Sequence, residues 1–143
     1  MKLENQDWFY TSKVKEHFLK PKNICKTEKE VEEFKEIANG YGEAGNFSCG
    51  DIMKFWIVVD PKTEKIKKCR WQTWGCASAL ASTSMLSVMI TEKGGMKIVD
   101  ALKIKPEDIA NRLGGLPSIK FHCSILGDQA LRKAIENYKL KKK

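Results

Sequence analysis

Two β-prone stretches joined by one turn constrain this chain more than any other feature. Ile52 to Val59 and Ile66 to Thr73 are rich in β-branched and aromatic residues, and Asp60-Pro61-Lys62-Thr63 between them has turn chemistry. The pattern predicts an antiparallel pair of strands. The start of the first and the end of the second then lie at the same end of the sheet. Cys49 and Asp51 precede the first strand, and Trp74-Gly75-Cys76 follows the second. Two cysteines far apart in sequence therefore become neighbours, with no assumption about what they hold.

A third stretch bears on the same question. Leu116 to Asp128 contains the adjacent pair His122-Cys123, just ahead of an amphipathic closing helix. A thiol at a helix N-terminus feels partial positive charge, which favours thiolate over thiol. Cys76 is placed alike, ahead of a helix predicted over Ala77 to Ile90. Three thiolates with an imidazole or carboxylate suit tetrahedral zinc or iron. No Cys-x-x-Cys knuckle occurs, so the spacing is not that of a zinc finger. Spacing alone leaves metal and inert burial about even, because a free cysteine also packs well as a small hydrophobe. A Cys-His hydrolase is a weaker reading: chain neighbours rarely align an imidazole on a thiol, and no orienting acid is evident.

The remaining elements follow from periodicity and punctuation. Asp7 caps a helix from Trp8 to about Leu19, with Tyr10, Val14 and Phe18 on one face, ended by Pro21. His17 on this helix reads as a surface or packing residue. Thr27-x-x-Glu30 is a capping box for a helix whose apolar face is Val31, Phe34 and Ile37, stopped at Asn39-Gly40. Tyr41 to Gly50, rich in glycine, reads as a mobile loop. Ala77 to Ile90 carries small residues that let a helix approach a sheet closely, with Leu80, Met85, Leu86 and Met89 on its buried side. Short helices are expected from Met96 to Leu102 and from near Lys105-Pro106 to a stop at Gly114-Gly115. The last helix presents Ile125, Leu126, Leu131, Ala134, Ile135 and Tyr138 on one face. Cys69, in mid-strand, reads as structural, and Cys25 as incidental in a turn.

The chain has 143 residues, 42% hydrophobic and 31% charged, ordinary values for one compact soluble domain. No secretory leader opens it. No apolar run reaches membrane-spanning length, since Ala77 to Ile90 is broken by hydroxyl residues. Five cysteines without a leader suggest a reducing cytoplasm, with ligands or reactive thiols rather than disulfides. The net charge is +8, half of it from Lys139, Lys141, Lys142 and Lys143. No basic stripe interleaved with exposed aromatics accompanies it. A solvated tail and an acidic protein partner explain the surplus better than nucleic acid does.

These residues together resemble the IscU/NifU-type iron–sulfur cluster assembly scaffold, over nearly the whole chain. Tyr10 to Asn23 is similar to that family's N-terminal segment. Cys49-Gly50-Asp51, Gly75-Cys76-Ala77-Ser78-Ala79 and His122-Cys123-Ser124-Ile125-Leu126 are similar to its three cysteine motifs, in order. Leu116-Pro117-Ser118-Ile119-Lys120 resembles the Leu-Pro-Pro-Val-Lys segment that an Hsp70-type chaperone recognises in some members, with Ser118 replacing the second proline.

The resemblance implies an α+β fold, with a small, mostly antiparallel three-stranded sheet and helices packed around it (IscU/SufE-like). It implies one scaffold domain over residues 1–143 with a basic tail at 139–143, and no turnover of its own. Cys49, Asp51, Cys76 and Cys123 would hold a 2Fe–2S cluster, with His122 an alternative ligand, and zinc could occupy the cluster-free form. Cys123 would accept persulfide sulfur. The implied partners are a cysteine desulfurase of the IscS/NifS type and apo iron–sulfur proteins. The resemblance also admits a ferredoxin, a frataxin-like protein, the Hsp70-type chaperone and a homodimer, but no membrane. Departures are a longer segment between Asn23 and Cys49 and the extra Cys25 and Cys69. The further domains of full-length NifU are not expected in this chain, and His122 favours the IscU type over SufU. A zinc-dependent sulfurtransfer partner of the SufU kind is the runner-up, and a nucleic-acid-binding zinc protein the outside alternative.

Overall fold

The computed structural model describes residues 12–46, 51–73, 77–114 and 125–142. The elements run α1 (Ser12–Leu19), α2 (Glu28–Lys35), β1 (Gly40–Asn46), β2 (Asp51–Val59), β3 (Lys65–Thr73), α3 (Ala77–Thr91), a 3₁₀ turn (Glu92–Gly94), β4 (Met96–Lys97), α4 (Ile98–Ala101), α5 (Pro106–Arg112) and α6 (Ile125–Lys142). The strands form one antiparallel sheet in the order β1-β2-β3-β4. The class is therefore α+β, as expected, with four strands in place of three. Among the described residues, no helix is long and apolar enough to cross a membrane.

β2 and β3 pair as the turn chemistry predicts, with Asp60 Oδ1 accepting from the Lys62 amide at 2.9 Å inside the turn. A bulge between Val58 and Val59 shifts the register, so that Val58 faces Lys68 and Val59 faces Ile66. Lys67 and Lys68 can then both reach solvent while Ile66 and Cys69 both stay buried. Met53, Phe55, Ile57 and Val59 line one face with Ile66 and Trp71, against Leu86 and Ile90 of α3 and Leu131 and Ile135 of α6. Burial contributes about 1.5–3 kcal/mol for each large side chain there. On the other face, α2 and Cys25 cover Trp56 with Val31 and Phe34.

The stretch expected as a mobile loop is mostly strand β1, and its glycines explain why. A Cβ at Gly40 would lie 2.7 Å from the Ala134 carbonyl oxygen. One at Gly42 would collide with the Ala130 carbonyl and the Ala134 amide of α6. These glycines serve close packing of a helix on a strand, not mobility. Glycine density alone does not separate the two uses.

Other expectations shift by smaller amounts. α2 has both bonds of the capping box on Thr27 and Glu30, but Ile37 lies past its end and is 52% exposed. Met96 and Lys97 pair with β3 before the chain turns into α4, so the helix expected from Met96 starts only at Ile98. Cys25 is buried, and its amide donates to the Trp71 carbonyl at 2.8 Å. It belongs to the packing under α2 and is not incidental. The lysines at 139, 141 and 142 continue helix α6.

Substitution at two glycines separates steric from conformational cost. Gly42→Ala should destabilise the fold by more than ~3 kcal/mol, because two packed backbones must part. Gly94→Ala meets nothing within 4 Å and should lose only about 1–2 kcal/mol, through its φ of +84°. Urea denaturation of both variants checks the order, and equal losses would contradict it.

Candidate functional site

Five element ends meet at one end of the sheet. Asn46 is the register partner of Asp51, so β1 ends where β2 begins. Met53 pairs with Thr73, so β3 ends there too. The Thr73 hydroxyl donates to the Ile52 carbonyl at 2.7 Å and closes that corner. α3 returns antiparallel along β3, with the Cys69 thiol 3.8 Å from the Ser87 carbonyl, so its first residue, Ala77, lies at the same end. Gly40 packs on Ala134 and Gly42 on Ala130, so α6 runs antiparallel to β1 and starts, at Ile125, beside the end of β1. Two long helices thus turn their positive N-terminal ends toward the place where β2 starts and β3 stops.

Asp51 is the first residue of β2. Cys49, Cys76, His122, Cys123 and the Leu116–Lys120 segment lie outside the described residues. They are bounded by the element ends just named and, for the last two stretches, by Gly114 after α5. Among the described residues, no group of three His, Cys, Asp or Glu side chains could hold a metal ion. Cys69 is fully buried, and burial pushes its thiol up to about 12, as fits the structural role expected of it. Burial also raises the Cys25 thiol, against the pull of Arg70. Neither is a thiolate near neutral pH.

The helix after Cys76 is seated by a polar network that patterning does not reveal. Ser82, Thr83, Ser84 and Ser87 of α3 are all buried. His17 of α1, also buried, has Nδ1 2.6 Å from Ser84 Oγ, which also accepts from the Lys22 amide at 2.8 Å. Asn23 Nδ2 donates to Ser87 Oγ at 3.0 Å, and its Oδ1 accepts from Arg70 Nη1 at 3.0 Å. His17 is therefore a packing residue. Burial lowers its pKa.

Where α6 begins, a Cβ at Gly127 would fall 2.7 Å from Thr83 Oγ1, so the first turn of α6 rests on α3. Beside it Asp128, 6% exposed, accepts from Arg132 Nε at 3.1 Å, and Arg132 Nη2 reaches the Ile104 carbonyl at 3.1 Å. Asp128 Oδ1 and Thr83 Oγ1 are buried without a hydrogen-bond partner among the described residues. Burial raises the Asp128 pKa, outweighing the guanidinium of Arg132. Asp128 belongs to the stretch singled out in the sequence, but only tertiary packing reveals its burial.

These two groups tilt stability in opposite senses. A raised carboxylate pKa means the unfolded chain ionises first, so this group's contribution falls as pH climbs from the unfolded value, near 3.9, through the folded one. A lowered histidine pKa means the unfolded chain takes its proton first, so stability is lost as pH falls below about 6.5. Asp128→Asn should therefore stabilise the protein at pH 7, with the gain gone below pH 4. His17→Gln should flatten the loss below pH 6.5. Urea midpoints across pH 4–8 test both signs.

Comparison with known proteins agrees with this architecture. The profile of the NifU-like N terminal domain matches residues 9–143. The nitrogen fixation protein NifU of Nostoc is 45% identical over 132 residues, which cover 92% of this chain and 42% of that protein. The iron–sulfur cluster assembly scaffold protein IscU of Aquifex aeolicus is 42% identical over 132 residues, covering 92% of this chain and 77% of that one. The chain thus spans about two fifths of the NifU relative and most of the IscU relative. The crystal structure of a NifU-like N-terminal protein from Brucella abortus has the same fold, with a TM-score of 0.67 at 13% identity over 95% of this chain and 98% of that one. By the extent of that match and by its IscU relatives, the chain belongs to the NifU-like N-terminal domain family.

Proposed function

We propose that this chain is a scaffold on which a transient 2Fe–2S cluster is assembled and then handed to apo-proteins. The observation that carries the reading is the meeting of five element ends at one end of the sheet. Asp51 is one of these ends, Cys49 and Cys76 fall in the short stretches between them, and His122-Cys123 directly precede the start of α6 in the chain. Relatives that cover most of this chain are named as iron–sulfur scaffolds.

Cys123 is the sulfur acceptor. Its thiolate attacks the outer sulfur of a desulfurase persulfide. A new S–S bond forms on Cys123, the old one breaks, and the desulfurase cysteine leaves as thiolate. The helix N-terminus two residues on favours the attacking anion. Reducing the transferred sulfur to sulfide takes two electrons, a task for a ferredoxin-class donor. Cys49, Cys76 and Cys123 supply soft thiolate ligands to the cargo, and Asp51 or His122 supplies the fourth. A hard carboxylate at one corner holds iron less firmly than a fourth thiolate would, which suits a cluster meant to leave. Zinc fits the same donor set when the cluster is absent. The domain acts as one unit with its basic C-terminal end, in a reducing cytoplasm, without turnover of its own.

Anaerobic reconstitution with a cysteine desulfurase, cysteine and ferrous iron tests the reading. Equal iron and acid-labile sulfide are expected, with the cluster lost in Cys76→Ala and held longer in Asp51→Ala. Tightly held zinc without cluster, with desulfurase still stimulated, would replace it with a zinc-dependent sulfurtransfer partner.

A further inference from the structure

The sheet face away from α3 and α6 is only partly covered. α2 lies across it, and beside α2 runs an open groove of about 450 Å³. Its floor is aromatic: the Tyr41 and Trp56 rings lie 5.3 Å apart at an interplanar angle of 37°. The Tyr41 hydroxyl donates to Glu43 at 2.7 Å. Three lysines border the groove, each from a different element: Lys35 from α2, Lys54 from β2 and Lys141 from the end of α6. Glu28 is the one acidic residue in the lining. A groove of this size and lining is unused by the cluster site, which lies at the strand ends.

We propose that this groove docks an acidic, extended segment of a protein that exchanges sulfur or cluster with the scaffold. The proposal rests on the scaffold reading and names the chemistry of one partner. Three observations favour such an occupant. Even with Glu43, which stands opposite Lys54 in the strand register, three lysines outnumber two carboxylates around a floor of Tyr41 and the nearly buried Trp56, which complements carboxylates spaced along a chain that also carries apolar side chains. The lysines come from three separate elements and α2 sets Glu28 among them, an arrangement that suits spread carboxylates better than one clustered phosphate. The position is also apt. Lys54 pairs with Gln72 one row beyond Met53 and Thr73, roughly 10 Å along the strand from Asp51. A partner held there has its remaining surface beside the cluster end. Lys35 makes only a loose, exposed contact with Glu32 at 3.8 Å, so recruiting it costs little.

Binding is tested on the cluster-free protein, so a failure of cluster assembly is not mistaken for a failure of docking. The probe is a synthetic octapeptide alternating Asp or Glu with Leu, compared with its Asn/Gln counterpart and with ATP. Amide and indole NMR shifts give the site and the affinity. The acidic peptide should shift Tyr41 and the Trp56 indole, weaken with salt, and bind about fivefold to tenfold less well to Lys35→Gln/Lys141→Gln. Both lysines are exposed, so the variant keeps the core, and Lys35→Arg/Lys141→Arg should retain binding. Equal shifts from the uncharged peptide, no shift at millimolar acidic peptide, or shifts from ATP alone would overturn the proposal.

Discussion

The contact of α6 on β1 is the constraint on which the rest depends. Without side chains at Gly40 and Gly42, the Ala130–Ala134 segment of the helix lies directly on the strand backbone. That contact fixes where along the sheet α6 begins, and so where the chain emerges after the third cysteine motif. It also covers Ile57 and Phe55 with Leu131 and Ile135, joining the site's geometry to the main core. Tyr41 adds a polar tie, its amide donating to Asn137 Oδ1 of α6 at 3.1 Å.

A second helix is positioned by different chemistry. Among its described residues α3 is buried on nearly every side, including Ser82, Thr83, Ser84 and Ser87, so no wet face there orients it. Hydrogen bonds from His17, the Lys22 amide and Asn23 set its rotation instead. Buried polar groups of this kind are costly if left unpaired, so the network selects one arrangement of α1 on α3. The helix that follows Cys76 is thereby held as firmly as the one that follows Cys123.

What was legible in the sequence was mostly local. The β2–β3 pair, the Thr27–Glu30 capping box and Pro106 opening α5 each follow from a few adjacent residues. That the start of β2 lies beside the end of β3 needed only the antiparallel pairing, and the register of Met53 with Thr73 shows it; Cys49 and Cys76 themselves lie outside the described residues. What was missed depends on distant partners. Gly40 and Gly42 look like loop residues until α6 is laid against them. Met96 and Lys97 show helical spacing but are captured by the free edge of β3. Ile37 completes an apolar stripe on paper, yet the helix stops before it. Asp128 looks like a surface residue in a first turn, and packing buries it.

Iron-57 Mössbauer spectroscopy of the reconstituted protein tests most directly whether the three cysteine motifs and a harder fourth donor surround one cluster. Two quadrupole doublets of equal area are expected, one from iron with two cysteine ligands and one from iron with a cysteine and an oxygen or nitrogen donor. A single kind of iron site, or high-spin iron with no bridging sulfide, would contradict the convergence.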